Sequence, residues 1–159
     1  MSDFDQQWPI EQLVPHRGRM GMLASAFAGE GDRLRAELTI SAADIFFDSQ
    51  GPGSGVGAWV GIEYMAQAVA AWAGSQARRE GRAPKIGFLL GSRRYQSSRS
   101  AFALGERLII HVQREFQADN GLGQFDCRIE IAGETVASAH LTVFGPSDPA
   151  AFLRGELNE

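Results

Sequence analysis

Apolar and polar positions alternate most cleanly at Leu34, Ala36, Leu38 and Ile40, set against Arg33, Arg35, Glu37 and Thr39. A period of two places successive side chains on opposite faces of a strand. Residues 22–28 form a weaker strand candidate, and Gly29-Glu30-Gly31-Asp32 between the two reads as a turn, so they should pair as a hairpin. The period then changes. From 56 to 79 alanine is frequent, and Ile62, Met65, Ala66, Val69 and Ala73 follow the i, i+3, i+4 spacing of a buried helical stripe. Gly81 and Pro84 end that helix. Alternation returns afterwards. Residues 86–95 give one strand and 106–118 a long one, with Leu108, Ile110, Val112, Arg114 and Phe116 on one face. Asn120-Gly121 is a hairpin signal. Strands over 124–131 and 135–144 complete a meander through Ala132-Gly133-Glu134. A short helix is expected at 8–14, stopped by Pro15, and the tail at 146–159 begins with Pro146 and Pro149.

The order is hairpin, one long alanine-rich helix, then about four antiparallel strands. A sheet must cover its apolar face. One helix lying across a strongly curved antiparallel sheet does so, an α+β arrangement of the hotdog kind. A single domain over 1–159 is expected, because 159 residues is a usual domain size.

Composition narrows the chemistry. Apolar residues make up 44% and charged residues 21%, the balance of a globular chain rather than a disordered one. The net charge is −4 and there is no polybasic run, which argues against nucleic acid as partner. The single cysteine, Cys127, excludes an internal disulfide and a cysteine-rich metal site, and in a strand it reads as core. The opening MSDFDQQWPI carries two acids and no apolar run, unlike a secretory signal. The longest apolar stretch, around 56–73, is interrupted by Glu63 and Gln67 and does not suit a membrane span. A cytoplasmic location is the expectation. Fourteen of the 15 basic residues are arginine, the better side chain for bidentate phosphate contacts, although codon bias would leave the same mark.

Several segments together resemble a known family. Leu-Val-Pro-His-Arg-Gly-Arg-Met-Gly-Met at 13–22 resembles the PHR-containing segment of hotdog-fold 3-hydroxyacyl-[acyl-carrier-protein] dehydratases. Phe46-Phe47 and the glycine- and proline-rich loop after it resemble their approach to the central helix. Ile62-Glu63-Tyr64-Met65-Ala66-Gln67 resembles their helix motif, and the segments at 87–95 and 102–112 resemble the two strands that follow. The resemblance runs in order over about 13–144 and is nearest to the dehydratase-like proteins of aryl-polyene biosynthesis. One departure matters. The typical dehydratase has its catalytic histidine three positions after the second phenylalanine, where this chain has Gln50.

The resemblance makes Glu63 the first candidate for chemistry. A carboxylate among alanine and valine has its charged form disfavoured by desolvation, and a protonated acid is what a departing β-hydroxyl needs. Gln67, four residues on and on the same helical face, would orient Glu63 or satisfy a nearby backbone group. His16 is the candidate base, since imidazole titrates near ~6.5 and suits removal of a proton next to a thioester. Ordinary dehydratases carry this PHR histidine beside a separate catalytic one, so a positioning role stays open. His111 and His140 read as strand residues. The loop over 51–57 leads into the helix start, whose free N–H groups would polarise a thioester carbonyl; the resemblance places those donors near Gly57 and Ala58. Arg78, Arg79, Arg82, Arg93, Arg94 and Arg99 form a candidate patch for an acidic carrier protein, or a solvated surface. Trp59 and Trp72 read as core or interface.

The resemblance implies lyase activity: dehydration of a 3-hydroxyacyl thioester to a trans-2-enoyl thioester, with the substrate on the phosphopantetheine of acyl carrier protein and no metal or redox cofactor. A hotdog thioesterase, and a catalytically impaired partner subunit of an active dehydratase, are the alternatives. The same resemblance implies a homodimer or higher oligomer of dimers, or a hetero-dimer with a related dehydratase, with His16 of one chain meeting Glu63 of the other.

Overall fold

The computed structural model describes residues 6–7, 9–10, 13, 21–29, 31–50, 54–81 and 88–145. The chain order is β1 (Gln6–Gln7), β2 (Ser25–Ala28), β3 (Arg33–Thr39), β4 (Phe47–Asp48), β5 (Gly55–Gly57), a 3-10 turn (Ala58–Val60), α1 (Gly61–Arg79), β6 (Phe88–Ser97), β7 (Ala101–Ala103), β8 (Arg107–Gln117), β9 (Leu122–Ile131) and β10 (Glu134–Phe144). Among the described residues the main sheet has the order β1-β2-β3-β8-β9-β10-β6, antiparallel at every pairing. A small sheet, β4-β5-β7, lies before the helix start. Helix α1 packs against the main sheet, contacting β2, β3, β6, β8, β9 and β10. This is the hotdog architecture.

The expected hairpin forms, with Ala26 opposite Ala36 and Ala28 opposite Leu34. Leu34, Ala36, Leu38, Leu108, Ile110, Val112, Phe125, Cys127, Ile129 and Leu141 turn inward and meet α1. Each large apolar side chain buried there contributes about 1.5–3 kcal/mol. On β8 the alternation holds through Val112 and then fails. A register shift between Arg114 and Phe116 against β9 turns the strand, and Phe116 is left exposed.

The helix departs from expectation at its start. It begins at Gly61, not near 56, because Gly55–Gly57 is a strand between β4 and β7 and the next three residues form a 3-10 turn. Gly55 is required there, since a Cβ would land on the Phe102 carbonyl. Of the expected stripe, Met65 and Val69 are buried and Ile62 and Ala66 pack partly buried against the core, whereas Ala73 is exposed; Tyr64, Ala68, Ala71, Trp72 and Ser75 complete the buried face. Small residues nearly all round α1 leave the face undecided, and the bulk of Tyr64 and Trp72 decides it. Gly81, at φ +72°, closes the helix in the left-handed conformation that favours glycine.

Of the expected helix at 8–14, Pro9, Ile10 and Leu13 are described, and the Leu13 N–H donates to the Ile10 carbonyl at 3.0 Å. The tail at 146–159 lies outside the described residues.

Candidate active site

Glu63 stands in the first turn of α1 and is half-buried. One turn on, Gln67 is fully buried. Its amide nitrogen donates to Glu63 Oε1 at 3.1 Å, and its oxygen accepts the Met22 N–H at 2.9 Å. The amide thus does both of the things expected of it. It orients the carboxylate and satisfies a backbone donor ahead of β2. A buried amide used at both ends fixes its own flip state, because only one orientation serves both partners.

The helix start is held from the side by β6 and β7. The Ala58 N–H donates to the Ser100 carbonyl at 3.0 Å, and the Ala58 carbonyl accepts from the Tyr95 hydroxyl. This corrects one expectation. An N–H has a single hydrogen, so the Ala58 donor is committed within the chain and does not point at a substrate oxygen. At Gly57 the Trp59 indole folds back to where a Cβ would be. Gly61 likewise leaves room for the Tyr95 hydroxyl. Trp59 itself is 65% exposed and meets Phe46 edge to face at 5.4 Å, so it is not core. Trp72 is core, edge to face with Phe125 at 5.2 Å.

Sequence reasoning passed over two tyrosines, Tyr64 and Tyr95, near the helix start. Tyr64 and Tyr95 both have phenols pushed above the ordinary value by burial, and for Tyr64 the nearby Asp44 and Tyr95 add to it. In the sequence Tyr64 stood out only as part of the helix motif at 62–67. Asp44 had a legible signal, the Ser-Ala-Ala-Asp turn at 41–44, in which the Ser41 N–H donates to Asp44 Oδ2 at 2.9 Å.

Gln50, at the position of the usual histidine, is exposed, and its N–H donates to Asp48 Oδ1 at 2.9 Å. His16 lies outside the described residues. His111 and His140 sit on the outer face of the sheet, away from α1. His111 Nε2 is 2.8 Å from Glu130 Oε1, and burial together with Arg128 and Arg35 lowers its pKa despite that carboxylate. His140 Nδ1 is 3.0 Å from Glu115 Oε1. Cys127 is buried, and burial pushes its thiol far up, which makes it inert core as expected.

Among the described residues the candidate arginines lie on different elements. Arg79 Nη2 donates to the Gly29 carbonyl at 3.0 Å, beside the β2–β3 turn, and Arg78 precedes it in the last turn of α1. Arg93 and Arg94 are on β6, at the opposite edge of the sheet, with Arg93 paired to His140. Arg99 is engaged in a short ion pair with Glu106, whose Oε1 also accepts the Ala103 N–H at 2.7 Å. Burial alone would raise the Glu106 pKa; the Ala103 N–H and the Arg99 guanidinium outweigh it and hold the carboxyl below its usual range. Arg99 therefore braces the β7–β8 turn. Arg82 lies outside the described residues. No helix among the described residues is long and apolar enough to cross a membrane.

Comparison with known proteins places this geometry. The family model described as ApeP-like, ApeP dehydratase, matches residues 8–154. A chain of the dehydratase heterocomplex ApeI:P from Xenorhabdus doucetiae is similar in structure, with a TM-score of 0.85 at 23% identity, covering 96% of this chain and 100% of that one. The E. coli PaaI protein of the phenylacetic acid degradation operon gives a TM-score of 0.57 at 18% identity over 75% of this chain and 80% of its own. A thioesterase-like protein from Streptococcus pneumoniae, solved with coenzyme A, gives 0.55 at 16% identity over 74% and 82%. At these identities the structural likenesses show the fold. No curated protein matches the chain.

Proposed function

The chain belongs to the ApeP-like dehydratase family, and from that premise we propose that it dehydrates a 3-hydroxyacyl thioester carried by acyl carrier protein to the trans-2-enoyl thioester, in aryl-polyene biosynthesis. The observation that carries this reading is Glu63, set in the first turn of the central helix and held by Gln67. The family match favours elimination over thioester hydrolysis.

In the proposed reaction a base removes a proton from the carbon next to the thioester carbonyl. The electron pair of that C–H bond becomes the new C=C bond as the β C–O bond breaks. Glu63, protonated, gives its proton to the departing hydroxyl, which leaves as water. His16 is the proposed base, since Gln50 has no basic nitrogen. Transfer of the proton from His16 back to Glu63 then resets the site. No metal or redox group enters this balance.

The proposal includes a second chain. Gln50 in place of a histidine fits a subunit that works beside a related dehydratase, and the ApeI:P neighbour is a heterocomplex by description. Edge strand β6 supports association. Its outer side has no strand partner among the described residues, and Leu89 and Leu90 on it are 42% and 56% exposed. The test is direct. Wild-type chain, Glu63→Gln and His16→Ala are each incubated with 3-hydroxyacyl carrier protein, alone and mixed with a related dehydratase. Enoyl product from the wild type and its loss in both variants support the reading. Free-thiol release without enoyl product opposes it.

A further inference from the structure

Regular alternation along β6 would place Tyr95 on the outer face of the sheet. Arg93 lies opposite His140, whose side chain is on that face. In a regular strand the residue two positions on shares the face, so Tyr95 would point outward with Arg93. It packs partly buried against the core instead, while Arg93, Arg94 and Gln96 are exposed. The cause is a β-bulge. Arg93 pairs with His140 and Gln96 with Ser138, so Arg94 and Tyr95 together face the single residue Ala139. The extra residue reverses the parity of the strand. Arg94 is held at φ +59°, a left-handed conformation that a non-glycine residue adopts at an energetic cost.

The inward hydroxyl reaches the start of α1. It donates to the Ala58 carbonyl, which also accepts the Gly61 N–H at the end of the 3-10 turn. Both lone pairs of that oxygen are thus used. The Ala58 N–H is fixed in turn by the Ser100 carbonyl at 3.0 Å. The fit is close, since a Cβ on Gly61 would strike the Tyr95 hydroxyl and come within 3.1 Å of Ile129 Cδ1. Glu63 follows two residues after Gly61, about 3 Å along the helix axis. Gln67 holds Glu63 from one turn further along the helix. Tyr95 acts on the turn before it, and from the sheet.

We infer that Tyr95 is a positioning residue. The bulge aims its hydroxyl at the Ala58 carbonyl, and that bond sets the first turn of α1 and the place of Glu63. A costly backbone conformation persists where the surrounding structure over-determines it, and this one delivers one side chain to the helix start. The consequence for turnover rests on the dehydratase reading; the hold on the helix start does not, and it is measured without substrate.

Tyr95→Phe removes the hydroxyl and keeps the ring. In the full-length chain without substrate, NMR should show about 10-fold faster hydrogen exchange at the Gly61 amide, the worth of one hydrogen bond. The Gln67 side-chain amide, which contacts Glu63, should shift. The Ala68 and Ala71 amides should exchange within about 3-fold of wild type, which shows an intact helix. With 3-hydroxyacyl carrier protein, alone or with the related dehydratase present, kcat should fall about 10-fold while KM stays within about 3-fold, because a misplaced acid weakens the transition state and not binding. In the Glu63→Gln background the same substitution should lower kcat no further. Gly61 exchange or a Gln67 resonance equal to wild type overturns the inference. So does an unchanged kcat, a rise in KM alone, or a further loss in the Glu63→Gln background. A wild type that dehydrates nothing, with exchange and shift changed as expected in Tyr95→Phe, refutes the reaction and supports Tyr95 as the residue that places Glu63.

Discussion

Glu63 and Gln67 are a unit, and the two can be separated by substitution. Glu63→Gln keeps an oxygen for the Gln67 amide but cannot give up a proton. Turnover should fall by about 10²–10⁴-fold, the usual worth of a positioned acid, with the thermal midpoint close to wild type; retained turnover would remove Glu63 from the chemistry. Gln67→Leu is the opposite case. The part-buried Met22 N–H loses its acceptor, and stability should drop by roughly 1–3 kcal/mol in denaturant unfolding. Unchanged stability would mean that the bond of 2.9 Å contributes nothing. His111 makes a pH prediction. Its folded pKa lies below the ordinary value of 6.5, chiefly through burial. Well above 6.5 the imidazole is neutral in both states. As pH falls through 6.5 the unfolded chain takes up the proton first, so stability declines. Melting curves from about pH 7.5 to about pH 5 should show that decline in the wild type and less of it in His111→Gln. The Glu63–Gln67 contact was legible in the sequence because its spacing of four residues is local. The Met22–Gln67 bond was not, since it joins positions 45 apart.

The helix and the small sheet before it are fitted through glycines that have no slack. On Gly74 a Cβ would strike the backbone of Leu13. Alanine is the better helix former by about 1 kcal/mol, so Gly74→Ala ought to stabilise if packing were loose. Thermal unfolding is expected to show the reverse, a lower midpoint, while Gly91→Ala on β6, where a Cβ meets nothing within 4 Å, should leave the midpoint near wild type. Equal midpoints for the two variants would contradict the close packing of α1 on the N-terminal segment. The long strands were readable because their side chains alternate. The strand Gly55–Gly57 was hidden for the converse reason: two of its three residues have no side chain to show a period. Likewise β7 and β8 run together as one apolar pattern until Gly105, at φ +85°, turns the chain between them.

On the scale of the whole molecule, the described surface has unmet apolar area near the helix start and along one sheet edge. Trp59, Leu104 and Ile45 are exposed by the small sheet, and Leu89 and Leu90 by edge strand β6. Scattered apolar residues are ordinary; paired with an open edge they point to a partner. Light scattering after size exclusion should give at least the mass of two chains, for this protein alone or for a mixture with a related dehydratase. A monomer under both conditions would contradict the proposed assembly. The fold was legible at this scale from the order hairpin, helix, meander. The arginine patch was not, because closeness in sequence says nothing about which sheet edge each residue reaches. Arg79 ends up beside the β2–β3 turn and Arg93 on the far edge strand β6.

The central claim is that Glu63 of this chain drives loss of water from a 3-hydroxyacyl thioester. Mass spectrometry of 3-hydroxyacyl carrier protein incubated with wild type or Glu63→Gln, each with and without the related dehydratase, tests it most directly. The account predicts an enoyl carrier protein lighter by one water with the wild type, and at least about 100-fold slower formation with Glu63→Gln. Equal rates for the two proteins, or free carrier thiol with no enoyl species, would contradict it.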